Sequence, residues 1–187
     1  PGWLLVSRAV PGLGPAGQLG VGIVASTYLA AHLANVLGLA AGAALWIGLA
    51  PSDPARWHVD MAAPGFRPEG HWAQFCPRPG SRFAPEMGDP AATLARLDAI
   101  ATAHPRTMRL AGGPAEGRIT WITRSRLLRF PDYTTAQVLT EPDGRPRLCI
   151  LARQRFGGFD WGVNGARTGG WAQELLGLDE PPDLVPF

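Results

Sequence analysis

The chain has 187 residues, 46% of them apolar, which is enough for one ordinary domain plus an anchor. Its 17 basic residues are all arginine, so mechanisms that need a lysine, such as Schiff-base chemistry or a phosphate loop, are excluded. Over residues 51–187 there are 16 arginines against 15 acids, too even a balance for a nucleic-acid surface.

Residues 1–19, with Trp3, Arg8, Pro11 and Pro15, read as an irregular or interfacial lead-in. No Asp, Glu, Lys or Arg occurs between Ala9 and Ser52, and residues 20–50 are dominated by Ala, Leu, Val, Ile and Gly. A helix of roughly 20 such residues crosses about 30 Å of hydrocarbon, so this run predicts a single transmembrane helix. A secretory signal is the rival reading, but its apolar core would be about half as long. Within the run Ala34, Gly38 and Gly42 recur every fourth residue, which places small side chains on one face where a partner helix could pack. His32 is the only titratable group deep in the run, a candidate for porphyrin ligation or for a bond to a neighbouring helix; a lone histidine near a helix end more often just reaches the interface. A short N-terminal flank places the N-terminus inside, so the expectation is a single-pass protein of the bacterial inner membrane with its C-terminal domain in the periplasm.

Residues 51–87 contain seven prolines, with Trp57, Phe66, Trp72 and Phe75 among them, and read as an extended neck whose aromatics pack on something. His58 and Asp60 lack a third ligand, and Cys76 and Cys149 lack metal-type spacing, so no metal site is expected. The cysteines read as buried thiols, a disulfide being open only to an oxidising compartment.

Residues 88–187 read as an α+β domain, a small antiparallel sheet flanked by two helices. Asp89 is a good N-cap with Pro90 at the first helical position, and Leu94, Leu97 and Ala101 follow at helical spacing until Pro105. Strand patterns occupy 107–110, 118–123, 134–140 and 147–153, the last two joined by the Glu141-Pro142-Asp143-Gly144 turn. A second amphipathic helix is expected over about 167–176.

Two segments carry the site expectation. They are Thr123-Arg124-Ser125-Arg126-Leu127-Leu128-Arg129-Phe130-Pro131-Asp132-Tyr133 and Ala152-Arg153-Gln154-Arg155-Phe156-Gly157-Gly158-Phe159-Asp160-Trp161-Gly162-Val163-Asn164. With the Gly88-Asp89-Pro90 helix start, they resemble the bacterial and plastid family known as domain of unknown function 1499, over about residues 88–176. The resemblance implies this fold and agrees with an N-terminal anchor; it implies no reaction. Physically, Arg124 with Arg126 and Arg153 with Arg155 alternate along strands, so each pair points to one side. If the sides coincide, the guanidiniums converge near Asp132, Asp160 and Asn164, either as structural ion pairs or as an anion site. No nucleophile elbow, metalloprotease helix or paired-carboxylate motif occurs, and no catalytic residue or cofactor is expected. The leading expectation is a non-catalytic accessory subunit that docks to a larger membrane complex and contacts lipid, not nucleic acid. The alternatives are a tethered module binding an anionic ligand and an enzyme of unknown reaction.

Overall fold

Continuous helix-forming sequence from Gln18 onward, with Pro15 at the first position, produces helix α1 (Pro15–Leu49, 35 residues). The structure, a computed structural model, describes residues 12, 14–78, 81, 84, 87–182 and 184. Its chain divides into two units, Pro1–Trp46 and Ile47–Phe187. The expected lead-in residues Trp3, Arg8 and Pro11 lie outside the described residues. Residues 15–19, assigned to that lead-in, are the first turn of the helix. None of the α1 residues is buried, and Leu19, Val24, Leu37, Leu39 and Leu49 are among its exposed apolar side chains. At 1.5 Å per residue α1 extends over about 52 Å, long and apolar enough to cross a membrane.

The second unit is α+β. Its strands are β1 (Trp72–Phe75), β2 (Thr107–Gly113), β3 (Arg118–Arg124), β4 (Pro131–Thr140) and β5 (Pro146–Gln154). They form one antiparallel sheet in the order β1-β5-β4-β3-β2. Among the described residues of this unit the α-helices are α2 (Pro54–Trp57), α3 (Pro90–Ala103) and α4 (Val163–Leu176). α3 starts where the sequence predicts, with the Asp89 carboxylate accepting from the Ala91 N–H at 2.9 Å. α3 and α4 both cover one face of the sheet. There Leu94, Leu97, Trp171 and Leu175 pack on Phe75, Ile119, Trp121, Ala136, Leu148 and Ile150. The Asp98 carboxylate pins this layer: it pairs with Arg109 and accepts from Trp121 Nε1 at 2.8 Å.

The opposite face is covered by the segment read as an extended neck, which corrects that reading. Trp57 and Ala50 are buried, and Trp57 packs with Ile122, Tyr133 and Leu110. Trp72 to Phe75 add a fifth, edge strand to β5. Seven prolines do not keep the segment extended in solvent, because its aromatic side chains have a half-covered sheet to bury against. The register Phe75↔Ile150 sets Cys76 opposite Cys149, and the two are joined as a disulfide with Cα atoms 4.2 Å apart. The expectation of free thiols therefore fails, and it fails because β1 was not foreseen.

Helix α4 begins at Val163, four residues before the expected start. Asp160 supplies the missing start signal, its carboxylate accepting from the N–H groups of Gly162 (2.9 Å) and Asn164 (3.2 Å). The helix ends at Gly177, whose φ of 64° allows its N–H and that of Leu178 to reach back to the last carbonyls.

Candidate functional site

Side-chain parity decides which charges meet. In the register Ile122↔Tyr133↔Arg153, all three side chains lie on the face covered by residues 50–61, and Arg124 and Arg155 follow the same parity. Asp132 is paired with Thr123 and Gln154, one step out of phase, and so points to the α4 side. The sheet thus separates the arginines from the carboxylates that were expected to receive them.

Asp132 is bound instead by Arg167 of α4, whose Nη2 lies 3.1 Å from its Oδ2. Arg167 Nη1 also donates to Asn164 Oδ1 at 2.8 Å. Burial pushes the Asp132 carboxyl up; the Arg167 charge and hydrogen bond pull it down, and nearby Asp160 raises it further. Asp132, Asp160, Asn164 and Arg167 together tie the start of α4 to the sheet. Arg167 was not among the expected site residues, although its place one turn after Asn164 on a helix was a usable signal.

On the other face, the arginines clasp the chain where α1 ends. Arg124 Nη1 donates to the carbonyls of Gly48 (2.9 Å) and Arg129 (3.2 Å). Arg155 Nη1 donates to the Pro51 carbonyl (2.7 Å) and to Tyr133 Oη (3.1 Å). Arg153 is buried, and its Nη2 donates to the Trp57 carbonyl at 2.8 Å. Carbonyls at a helix C-terminus carry partial negative charge and lack intrahelical donors, which suits a guanidinium. Arg126 joins none of these contacts and is exposed in the turn after β3.

Trp57 is the platform of this region. Its ring stacks on Tyr133 with centroids 3.9 Å apart and planes 8° from parallel. The guanidinium carbons of Arg56, Arg153 and Arg155 lie 5.2, 5.1 and 5.9 Å from its centroid. These residues, with Glu69, Gly70 and Gln154, line a pocket of about 220 Å³. Three arginines face one carboxylate there. Burial lowers the pKa of Arg153; the Glu69 charge opposes that shift and the Arg56 charge adds to it. Arg153 Nε is buried without a protein partner. Arg56, Trp57 and Glu69 were not foreseen as site residues, since they come from a segment read as a neck.

Beside the pocket runs a polar relay. Arg118 Nε donates to His58 Nε2 at 3.0 Å, which fixes the proton on Nδ1 for donation to Thr120 Oγ1 at 2.9 Å. Thr120 meets Thr135 at 2.8 Å, and Thr135 reaches the Trp57 carbonyl at 3.5 Å. Asp60 accepts from Gln137 Nε2 at 2.6 Å and lies 3.6 Å from Arg118 Nη1. Gln137 Oε1 in turn accepts from the Met61 N–H at 2.7 Å. His58 and Asp60 thus hold the segment to the sheet.

On α1, positions Ala34, Gly38 and Gly42 are exposed, with open space around both glycines. His32 stacks on Tyr28, ring centroids 6.3 Å apart. Among the described residues no group of three or more His, Cys, Asp or Glu side chains could hold a metal ion. Comparison with known protein families, curated proteins and solved structures yields no match to this chain.

Proposed function

We propose that the protein is a single-pass, membrane-tethered binding module whose Trp57 pocket takes an anionic group, a phosphate or carboxylate carried by a small molecule or a lipid. The observation that carries this reading is the excess of guanidinium in one pocket: Arg56, Arg153 and Arg155 against Glu69, over an aromatic floor. A planar fork suits paired oxygens, and partial burial strengthens each contact. The charge-free length of α1 supports the span. The Cys76–Cys149 disulfide supports an oxidising compartment for the domain, in keeping with the periplasmic side of a bacterial inner membrane. The segments that resemble domain of unknown function 1499 supply Arg153 and Arg155, and kinship with that family is part of the proposal.

Inorganic phosphate is the probe to use first, titrated into the full chain in mild detergent and followed by calorimetry. Saturable binding that weakens at least tenfold in an Arg56→Gln/Arg155→Gln variant is the expected result. Absence of saturable binding, or equal binding by the variant, would sink the anion reading.

A second reading, an accessory subunit docked to a larger membrane complex, is favoured by the open face at Ala34, Gly38 and Gly42. Native mass spectrometry after gentle extraction should then find a stoichiometric partner that is lost when Gly38 and Gly42 become Leu. A chain that runs alone speaks against it.

A further inference from the structure

The end of the sheet at which α1 terminates carries an unusual surface. The turn between β3 and β4 (125–130) and the loop between β5 and α4 (155–162) lie side by side there. Register pairs Asp132 with Gln154, and the rings of Phe130 and Phe156 meet at 6.4 Å. Four large apolar side chains project from these two loops: Leu127 is 87% exposed, Leu128 49%, Phe159 56% and Trp161 85%. Phe159 and Trp161 pack edge to face at 5.2 Å, so they form one knob rather than two isolated side chains. Trp161 sits at φ 54°, a backbone region that bulky residues rarely occupy, and its ring is turned outward instead of into the core. Arg126 and Arg129 flank the leucines and are exposed.

Contacts within the second unit tie this rim to Gly48. Arg124 holds the Gly48 carbonyl, and a Cβ placed on Gly48 would lie 3.4 Å from Arg129 Cβ. The charge-free run continues to Ser52, so a bilayer span that reaches the C-terminal end of α1 has its last turn at the headgroup level, and the rim held to Gly48 lies there with it. Tryptophan, leucine and arginine together suit that layer: an amphipathic indole, apolar groups that reach the acyl boundary, and cations for lipid phosphates.

We propose that the Leu127-Leu128 turn and the Phe159–Trp161 knob form a lipid-contacting foot, which inserts into the headgroup layer of a membrane containing anionic lipid and seats the domain against it. This rests on the spanning reading of α1, and the test separates the two. The full chain is reconstituted into vesicles of phosphatidylcholine with a minority of phosphatidylglycerol, with or without bromine on the upper acyl carbons. Tryptophan emission is compared among the wild type, Trp161→Phe and Trp46→Phe, Trp46 lying in α1. The emission that disappears in Trp161→Phe is expected to be quenched by more than half in brominated vesicles, as is the part belonging to Trp46. Quenching of Trp46 without Trp161 would mean that the helix spans while the rim faces water or a protein, and would overturn the foot. Quenching of neither would overturn the span and the foot together. Because Trp161 is exposed, its replacement by Phe leaves the fold as a common background.

Discussion

Replacing Trp57 by Ala tests the docking of residues 50–61 most directly. The indole is buried, stacks on Tyr133 at 3.9 Å and packs with Ile122. Truncating a buried Trp removes about 3–5 kcal/mol. The parallel stack on Tyr133 places the value in the upper half of that range, because aromatic pairs add about 0.5–1.5 kcal/mol beyond their area. Arg153 keeps its bond to the Trp57 carbonyl but loses the ring beneath it. About 4 kcal/mol is a large part of the roughly 5–15 kcal/mol that holds an ordinary domain together. Urea unfolding of the full chain in mild detergent, followed by near-ultraviolet circular dichroism, reports aromatic packing, with Tyr28 and Trp46 the aromatic residues that α1 adds to the signal. Trp57→Phe, which keeps a stacked ring, should lose much less than Trp57→Ala. A loss below about 1 kcal/mol for Trp57→Ala would refute the reasoning, because residues 50–61 would then be a loose neck after all.

Burial and the Arg118 charge hold His58 below the usual histidine pKa of about 6.5, against a smaller opposing effect of Glu116. Its contribution is therefore complete above the unfolded value and lost as pH falls through the lower folded one, so stability should decline as pH drops below about 6.5. His58→Gln should flatten that limb of a pH–stability curve. Gly112 has a φ of 78°, and a Cβ there would overlap the Arg118 carbonyl and come 2.6 Å from His58 Cε1. Gly112→Ala should therefore lower stability by more than about 1 kcal/mol, whereas Gly117→Ala, at similar φ but in open space, should lose only the strain energy, as thermal melts of the pair would show. Reducing the Cys76–Cys149 bridge, which closes a separation of 73 residues, should destabilise the domain by about 4 kcal/mol on the chain-entropy account; denaturant midpoints with and without reductant measure it.

Much of the architecture was legible in the sequence because local signals and burial agree. Asp89-Pro90 starts α3, the Glu141–Gly144 turn joins β4 to β5, and β3, β4 and β5 carry the runs of Ile, Trp, Thr and Leu that a doubly covered sheet demands. The β1 strand was hidden because four residues between a histidine and a cysteine have no periodicity to speak of. Its identity as a strand comes from pairing with β5, a contact some eighty positions away in the chain. The disulfide was hidden with it. The docking of Trp57 was half legible: scattered aromatics in a proline-rich stretch must bury somewhere, but only the uncovered sheet face says where.

The site shows how far alternation along a strand reaches and where it stops. Alternation correctly groups Arg153 with Arg155, since both lie on one strand or its direct continuation. It fails for Arg126, because the strand ends at Arg124 and the turn that follows has no fixed side. It also cannot assign Asp132, whose face depends on the register of β4 against β3. A shift of one residue would send that carboxylate to the arginines and turn Tyr133 away from Trp57. The native register therefore satisfies two demands together: the Tyr133 ring meets the Trp57 platform, and the Asp132 carboxylate meets Arg167. With Asp132 and Asp160 so engaged on the far side of the sheet, Arg153 and Arg155 are left with backbone carbonyls, the Tyr133 hydroxyl and Glu69, and the proposed anion reading of the Trp57 pocket rests on this imbalance.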